Sequence, residues 1–266
     1  MHIVEKLNEL RNKKRKILSL FITAGYPTLE STVPLAVSLA HAGADIVEIG
    51  IPFSDPIADG PTIQKSSQIA LQNGITTRIT FEIAREIRRR SDIPLILMGY
   101  ANSIYTFGLG NFLGTCKEIG VDGIIIPDLP LEESKEYRTV AKQNNIATIF
   151  LAAPTTPMDR LTQLDKASTG FLYCVSVTGV TGERQSISEQ SERFLVQARA
   201  YVRNNPMLVG FGISTPEDAR RISRLSDGVI IGSALLTLLH ASSNNHAIEN
   251  AAAFTKELRQ ALDAPN

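Results

Sequence analysis

The segment Val121-Asp122-Gly123-Ile124-Ile125-Ile126-Pro127 decides the fold, because its isoleucines follow one another without alternating with polar residues. Such a run is typical of a strand covered on both faces, as in parallel sheets whose crossovers are helices. Seven other short apolar segments have a similar length, and each is followed by a stretch with helical spacing. The eight predicted strands are Ile17–Thr23, Asp45–Ile51, Pro94–Gly99, Val121–Pro127, Ala147–Leu151, Gly170–Val175, Met207–Phe211 and Gly228–Gly232.

The alternation of strands and helices predicts a β/α architecture. Eight such units in about 250 residues match a closed (β/α)8 TIM barrel in number and size, and we expect residues 1–266 to form a single domain with this α/β fold. The helical spacing of Ile3, Val4, Leu7 and Leu10 predicts an extra N-terminal helix over residues 2–14. A doubly wound open sheet is the alternative, which the lack of a Gly-x-Gly-x-x-Gly pattern after the first strand disfavours.

The composition excludes several classes of function. The 27 Lys and Arg residues balance the 27 Asp and Glu residues, so the chain lacks the basic footprint of a protein that binds nucleic acid or an anionic membrane. Cys116 and Cys174 are far apart, which argues against a disulfide framework or a zinc cluster. No apolar stretch approaches the roughly 18 residues of a membrane span. We therefore expect a soluble, cytoplasmic protein.

The acidic segment Val47–Gly60 carries the first candidate chemistry. The alternation of side chains along a strand places Glu48 inside the barrel, near the carboxyl end of its strand. Burial raises the pKa of a carboxyl, which can then give and take a proton near neutrality. The alternative is a buried glutamate paired with an arginine or a backbone donor. Asp55 and Asp59 lie in a loop where aspartates often form turns, but Glu48 and Asp59 are the candidate acid/base pair.

Glycines near the carboxyl ends of the last strands predict an anion site. Barrels frequently bind phosphate through backbone N–H groups of the loops after strands 7 and 8 and a short helix N-terminus. Tight turns without a ligand are the alternative explanation. The residues concerned are Gly182, Gly210, Gly212, Gly232 and Ser233.

Other chemistries are disfavoured by residue types that are missing. The predicted strands contain no lysine, which argues against a Schiff-base aldolase. The four histidines lie on helices or near the chain ends, which argues against a histidine-bound metal. Tyr173 points inward by strand parity, either as part of the core or as a catalytic hydroxyl.

Several segments that follow predicted strands resemble the tryptophan synthase alpha subunit family. The acidic segment Val47–Gly60 is similar to that family's signature. The resemblance extends along the chain through Phe21–Pro27, Gly99–Asn102, Pro127–Pro130, Ala153–Thr156, Gly179–Gly182 and Val209–Ile213.

The resemblance implies a carbon–carbon lyase of tryptophan biosynthesis that cleaves indole-3-glycerol phosphate to indole and glyceraldehyde 3-phosphate. It implies that Glu48 is the general acid/base, that Asp59 accepts a hydrogen bond from the indole N–H, and that Tyr173 is the family's active-site tyrosine. The substrate-binding residues that it implies are Phe21, Ile63 and Met98 around the indole, and Thr181, Gly182, Phe211, Gly212, Gly232 and Ser233 on the phosphate side.

The resemblance also implies a partner, a beta subunit that carries pyridoxal phosphate and receives indole through a tunnel in an alpha2beta2 complex. This chain itself is expected to need no cofactor and no metal. Pro52 and Asp55 are the expected interface residues. The sixth loop departs from the family pattern at Val177 and Thr178, so the resemblance does not decide whether this loop closes as it does in the family. The alternative functions are an activator of the beta subunit with weak catalysis, a stand-alone enzyme that releases free indole, and another phosphate-binding barrel such as an isomerase.

Overall fold

The computed structural model describes residues 2–175, 189–210, 212–242 and 246–264. Within these ranges nine strands form one parallel sheet, in the order β5-β4-β3-β2-β1-β9-β8-β7-β6. The strands are β1 (Ile17–Thr23), β2 (Ile46–Gly50), β3 (Leu95–Met98), β4 (Gly123–Ile125), β5 (Ala147–Ile149), β6 (Leu151–Ala152), β7 (Leu172–Val175), β8 (Met207–Gly210) and β9 (Gly228–Ile231).

The sheet closes at Phe150, which separates β5 from β6. β5 pairs with β4, whereas β6 pairs with β7 on the other side. The N–H of Phe150 donates to the side chain of Ser168 at 3.2 Å, and its carbonyl accepts from the N–H of Tyr173 at 3.0 Å. The fifth predicted strand is therefore two short strands that join the ends of the sheet. This closure confirms the TIM barrel and excludes the open sheet.

The described residues form twelve α-helices, and three of the strands are followed by two helices rather than one. The N-terminal helix ends two residues earlier than predicted, and Lys14 beyond it has a φ of 53°. The helices are α1 (His2–Asn12), α2 (Thr32–Ala42), α3 (Pro61–Gln72), α4 (Thr77–Arg90), α5 (Ala101–Phe107), α6 (Leu109–Ile119), α7 (Lys135–Gln143), α8 (Met158–Ala167), α9 (Glu189–Tyr201), α10 (Pro216–Ser223), α11 (Ser233–Ala241) and α12 (Ala247–Asp263). None of these helices is long and apolar enough to cross a membrane.

The apolar residues pack in two layers, one inside the barrel and one between the sheet and the helices. Ile46 of β2 belongs to the inner layer, whereas Val47 and Ile49 pack toward the helices, as strand parity predicts. Ile3 and Leu7 of α1 join the inner layer, so this helix packs against the barrel interior. The inward side of β2 also carries Glu48, so the candidate acid/base lies in the barrel interior.

Candidate active site

Glu48 is a carboxyl buried among apolar side chains of the barrel. It is 0% exposed, and its register neighbours are Phe21 on β1 and Ile96 on β3. The hydroxyl of Ser19 donates to Oε1 at 2.6 Å, whereas Oε2 has no hydrogen-bond partner among the described residues. Burial raises the pKa of Glu48 to about 7, and the bond from Ser19 opposes part of that rise. Glu48 can therefore both give and take a proton near neutral pH.

Asp59 is a second buried carboxyl, in the loop between β2 and α3. Its Oδ2 accepts a hydrogen bond from the Tyr100 hydroxyl at 3.0 Å, and that hydroxyl accepts in turn from the N–H of Ala58 at 3.0 Å. The Phe53 ring stacks on Tyr100 with 5.2 Å between ring centroids. Burial raises the pKa of Asp59 to about 6, and the bond from Tyr100 opposes this rise. Asp59 is thus buried and has its own hydrogen-bond donor in Tyr100. An aspartate that only formed a turn would need neither the burial nor this donor.

Tyr173 interacts electrostatically with both carboxyls. Its side chain points into the barrel from β7 and packs against Gly210 of β8, where a Cβ would overlap the tyrosine hydroxyl. Burial raises the pKa of Tyr173 well above its usual value, and the charges of Glu48 and Asp59 raise it further. The hydroxyl therefore stays protonated at neutral pH and can donate a hydrogen bond. Within the described ranges no group of three His, Cys, Asp or Glu side chains has an arrangement that could hold a metal ion.

Apolar side chains lie on the same side of the barrel as the two carboxyls. Phe21 is buried, and a Cβ added to Gly50 would come within 2.5 Å of its ring. Ile63 is 8% exposed in the first turn of α3, directly after the Asp59 loop. Met98 ends β3 and is half-buried, in contact with both apolar layers. The sequence predicted these three residues around the indole, and that role stays a prediction.

The carboxyl ends of β8 and β9 bring the glycine-rich segments together. Gly212 has a φ of 74°, a conformation that favours glycine. Gly232 is the N-cap residue of α11, and Ser233 is its first residue, so the first N–H groups of the helix point toward this end of the barrel. A Cβ on Gly232 would lie 3.4 Å from Phe21, which places this helix end beside the Phe21 side chain. Thr181, Gly182, Phe211, Val177 and Thr178 lie outside the described residues.

The two residues expected at a partner interface differ in exposure. Pro52 is buried, whereas Asp55 is exposed. Their loop also carries Ile57, which is 79% exposed and is the most exposed of the large apolar side chains of the described residues. On the neighbouring α5, Tyr105 is 39% exposed. Apolar side chains are therefore available to a partner at this end of the barrel.

Two hydrogen-bond partners of the carboxyls, Ser19 and Tyr100, were not among the residues predicted from the sequence. Ser19 has the inward parity of Ile17 and Phe21, so the parity argument applied to Glu48 would also have found a hydroxyl on the neighbouring strand. Tyr100 lies two residues after the end of β3, at the end of the barrel where active sites are built.

Comparison with known proteins identifies the family. The sequence model of the tryptophan synthase alpha chain family matches residues 7–263. The tryptophan synthase alpha chain of Petrotoga mobilis is 44% identical over 249 residues, which are 93% of this chain and 96% of the relative. The crystal structure of tryptophan synthase subunit alpha from Legionella pneumophila is 34% identical, with a TM-score of 0.90 and 98% of each chain covered. Tryptophan synthase from Mycobacterium tuberculosis is 30% identical, with a TM-score of 0.90 and coverage of 99% and 98%. A match of this length and identity means that the chain belongs to the tryptophan synthase alpha chain family.

Proposed function

We propose that this chain is a carbon–carbon lyase that cleaves indole-3-glycerol phosphate to indole and glyceraldehyde 3-phosphate, the alpha reaction in tryptophan biosynthesis. The observation that carries the proposal is a fully buried carboxyl, Glu48, whose pKa of about 7 suits proton transfer in both directions. Membership of the alpha chain family supports the same reaction.

The first step adds a proton to carbon 3 of the indole. Glu48 in its protonated form is the donor, and burial keeps it protonated up to about pH 7. Protonation at C3 places positive charge on the indole nitrogen, and the ring becomes the electron acceptor for the next step. Because the substrate itself accepts the electron pair, a Schiff base is not required.

The second step breaks the bond between C3 and the first carbon of the glycerol chain. The Glu48 carboxylate takes the proton from the hydroxyl on that carbon, the hydroxyl becomes the carbonyl of glyceraldehyde 3-phosphate, and the bond electrons return to the ring to neutralise the nitrogen. One carboxyl thus donates a proton and then accepts one, so Glu48 ends the cycle protonated. A pKa near the working pH favours both transfers.

Asp59 stabilises the charge that develops on the ring. In its ionised form it accepts a hydrogen bond from the indole N–H, an interaction that strengthens as the nitrogen becomes positive. Phe21, Ile63 and Met98 surround the aromatic ring. The N-terminus of α11 at Ser233 receives the phosphate, because the first N–H groups of a helix attract anions.

The partner in this proposal is the beta subunit of tryptophan synthase, in an alpha2beta2 complex. That subunit holds the pyridoxal phosphate and condenses indole with serine, so this chain needs no cofactor of its own. The exposed Asp55 and Ile57 of the Asp59 loop support an interface at the mouth of the barrel. Both cysteines are free, buried thiols, which supports the cytoplasm as the place of action.

A direct assay tests the reaction. The full-length chain is incubated with indole-3-glycerol phosphate, alone and with a beta subunit, and indole and glyceraldehyde 3-phosphate are quantified. We expect equal amounts of both products, with faster release in the complex. Indole-3-glycerol without phosphate is the control substrate, for which we expect little conversion. Unchanged substrate in both reactions would refute the proposal, and activation of the beta subunit without any cleavage would favour the alternative of a pure activator.

A further inference from the structure

The hydroxyl of Ser19 is the hydrogen-bond donor that the structure gives to Glu48. Ser19 is 0% exposed, and its Oγ lies 2.6 Å from Oε1 of the carboxyl. Its register neighbours are Ile46 on β2 and Ile230 on β9, both of which belong to the inner apolar layer. In such an environment water does not compete for the hydroxyl, and the bond is stronger than one at the surface.

The two oxygens of the Glu48 carboxyl are therefore unequal. Oε1 accepts from Ser19, and Oε2 is buried with no hydrogen-bond partner in the part of the chain that the structure describes. Building on the lyase function proposed above, we propose that Ser19 is a positioning residue that holds the carboxyl through Oε1 and leaves Oε2 to exchange the proton with the substrate.

The same bond adjusts the proton affinity of Glu48. A donor to the ionised carboxyl stabilises the charged form, so the Ser19 bond lowers a pKa that burial raises. Two other titratable groups share this interior, Tyr173 from β7 and Asp59 from the loop after β2. Removing the hydroxyl takes away the bond that lowers the pKa of Glu48 and leaves Tyr173 and Asp59 in place. The pKa of Glu48 is therefore expected to rise above about 7 by about one to two pH units.

The test that does not depend on turnover is a ¹³C NMR titration of the glutamate side-chain carboxyls in the full-length protein. The Glu48 signal is identified by its loss in Glu48→Gln. We expect Glu48 to titrate about one to two pH units higher in Ser19→Ala than in the wild type. In Ser19→Thr, which keeps the hydroxyl, we expect Glu48 to titrate as it does in the wild type. Ser226→Ala is the matched control, because Ser226 is also a buried serine but bonds to backbone carbonyls. An unchanged Glu48 titration in Ser19→Ala would overturn the proposal.

Steady-state kinetics of indole release test the positioning role. We expect kcat of Ser19→Ala at pH 7 to fall about tenfold with KM within about twofold, because orientation of the carboxyl affects proton transfer more than binding. Ser19→Thr recovers the rate. Ser19→Cys keeps the approximate size of the side chain but is a weaker donor, so we expect its kcat to lie between those of the wild type and Ser19→Ala. If Ser19→Ala does not fold, Ser19→Cys is compared with the wild type in its place. A wild-type rate in Ser19→Ala, or an equal loss in Ser226→Ala, contradicts the inference, whereas an inactive wild type contradicts the lyase function instead.

Discussion

Replacing Glu48 with glutamine is expected to stabilise the folded chain at alkaline pH while it removes activity. Burial raises the folded-state pKa of Glu48 from the usual 4.5 to about 7. The folded chain therefore holds this proton more tightly than the unfolded chain does. As the pH rises from about 4.5 to about 7, the unfolded carboxyl ionises first, and the free energy of unfolding of the wild type falls. Glutamine has no proton to lose, so its contribution does not change over this window.

The size of the effect follows from the difference in pKa. A difference of about 2.5 between the folded and unfolded states corresponds to about 3 kcal/mol of stability, present at acidic pH and lost above about pH 7. Relative to the wild type, Glu48→Gln should therefore gain about 3 kcal/mol between pH 4.5 and pH 7.5. For a chain of this length, that gain corresponds to a rise in Tm on the order of 10 °C.

Calorimetric Tm values measured across this pH range test the prediction. The quantity of interest is the difference in Tm between variant and wild type, because effects of pH on the other carboxyls cancel. Glu257→Gln on the exposed face of α12 is the matched control for the loss of one glutamate side chain, because it leaves the barrel interior unchanged. A Tm difference for Glu48→Gln that stays constant from pH 4.5 to 7.5 would refute the reasoning, since it would mean that burial does not raise this pKa.

Three further predictions concern Asp59, its donor and the partner surface. The kcat/KM of the wild type should have a bell-shaped dependence on pH, rising as Asp59 ionises near pH 6 and falling as Glu48 loses its proton near pH 7. Tyr100→Phe removes a bond that lowers the pKa of Asp59, so the acidic limb of the profile should move to higher pH. An acidic limb that does not move would mean that it reports the substrate phosphate and not Asp59. Asp59→Asn should lower kcat about 10²-fold or more without unfolding the chain, as checked by indole release and circular dichroism; a loss below threefold would contradict its role. Ile57→Asp should weaken binding of a beta subunit about tenfold or more in titration calorimetry and leave the activity of the free chain unchanged, whereas equal affinity would place the interface elsewhere.

Much of the fold was predictable from the sequence, because burial on both faces makes each strand a short apolar run. The first strand, Ile17–Thr23, has the predicted bounds, and the others end within one or two residues of the prediction. The division of the fifth strand at Phe150 was not predictable, because it depends on which neighbouring strand each half joins. Paired helices after a strand, such as α3 and α4, were also missed, since periodicity alone does not count helices within one crossover. That residues 1–266 form a single domain stays a prediction.

The site was predictable to the extent that strand parity determines it. Parity placed Glu48 and Tyr173 inside the barrel, where the structure has them. The bond between Asp59 and Tyr100 joins residues 41 positions apart on different loops, and local sequence carries no signal of such a pairing. The roles of the site residues and of the interface residues stay predictions, including those on the sixth loop.

The central claim, that the buried carboxyl of Glu48 transfers the proton that breaks the carbon–carbon bond, is tested most directly by single-turnover indole release. Wild type, Glu48→Gln and Glu48→Asp are mixed in excess with indole-3-glycerol phosphate, without a beta subunit, and indole is followed in time. We expect the wild type to release indole, the glutamine variant to be slower by on the order of 10²–10⁴, and the aspartate variant, which keeps the carboxyl on a shorter side chain, to retain more activity than the glutamine variant. Indole release by Glu48→Gln within tenfold of the wild type would contradict the account.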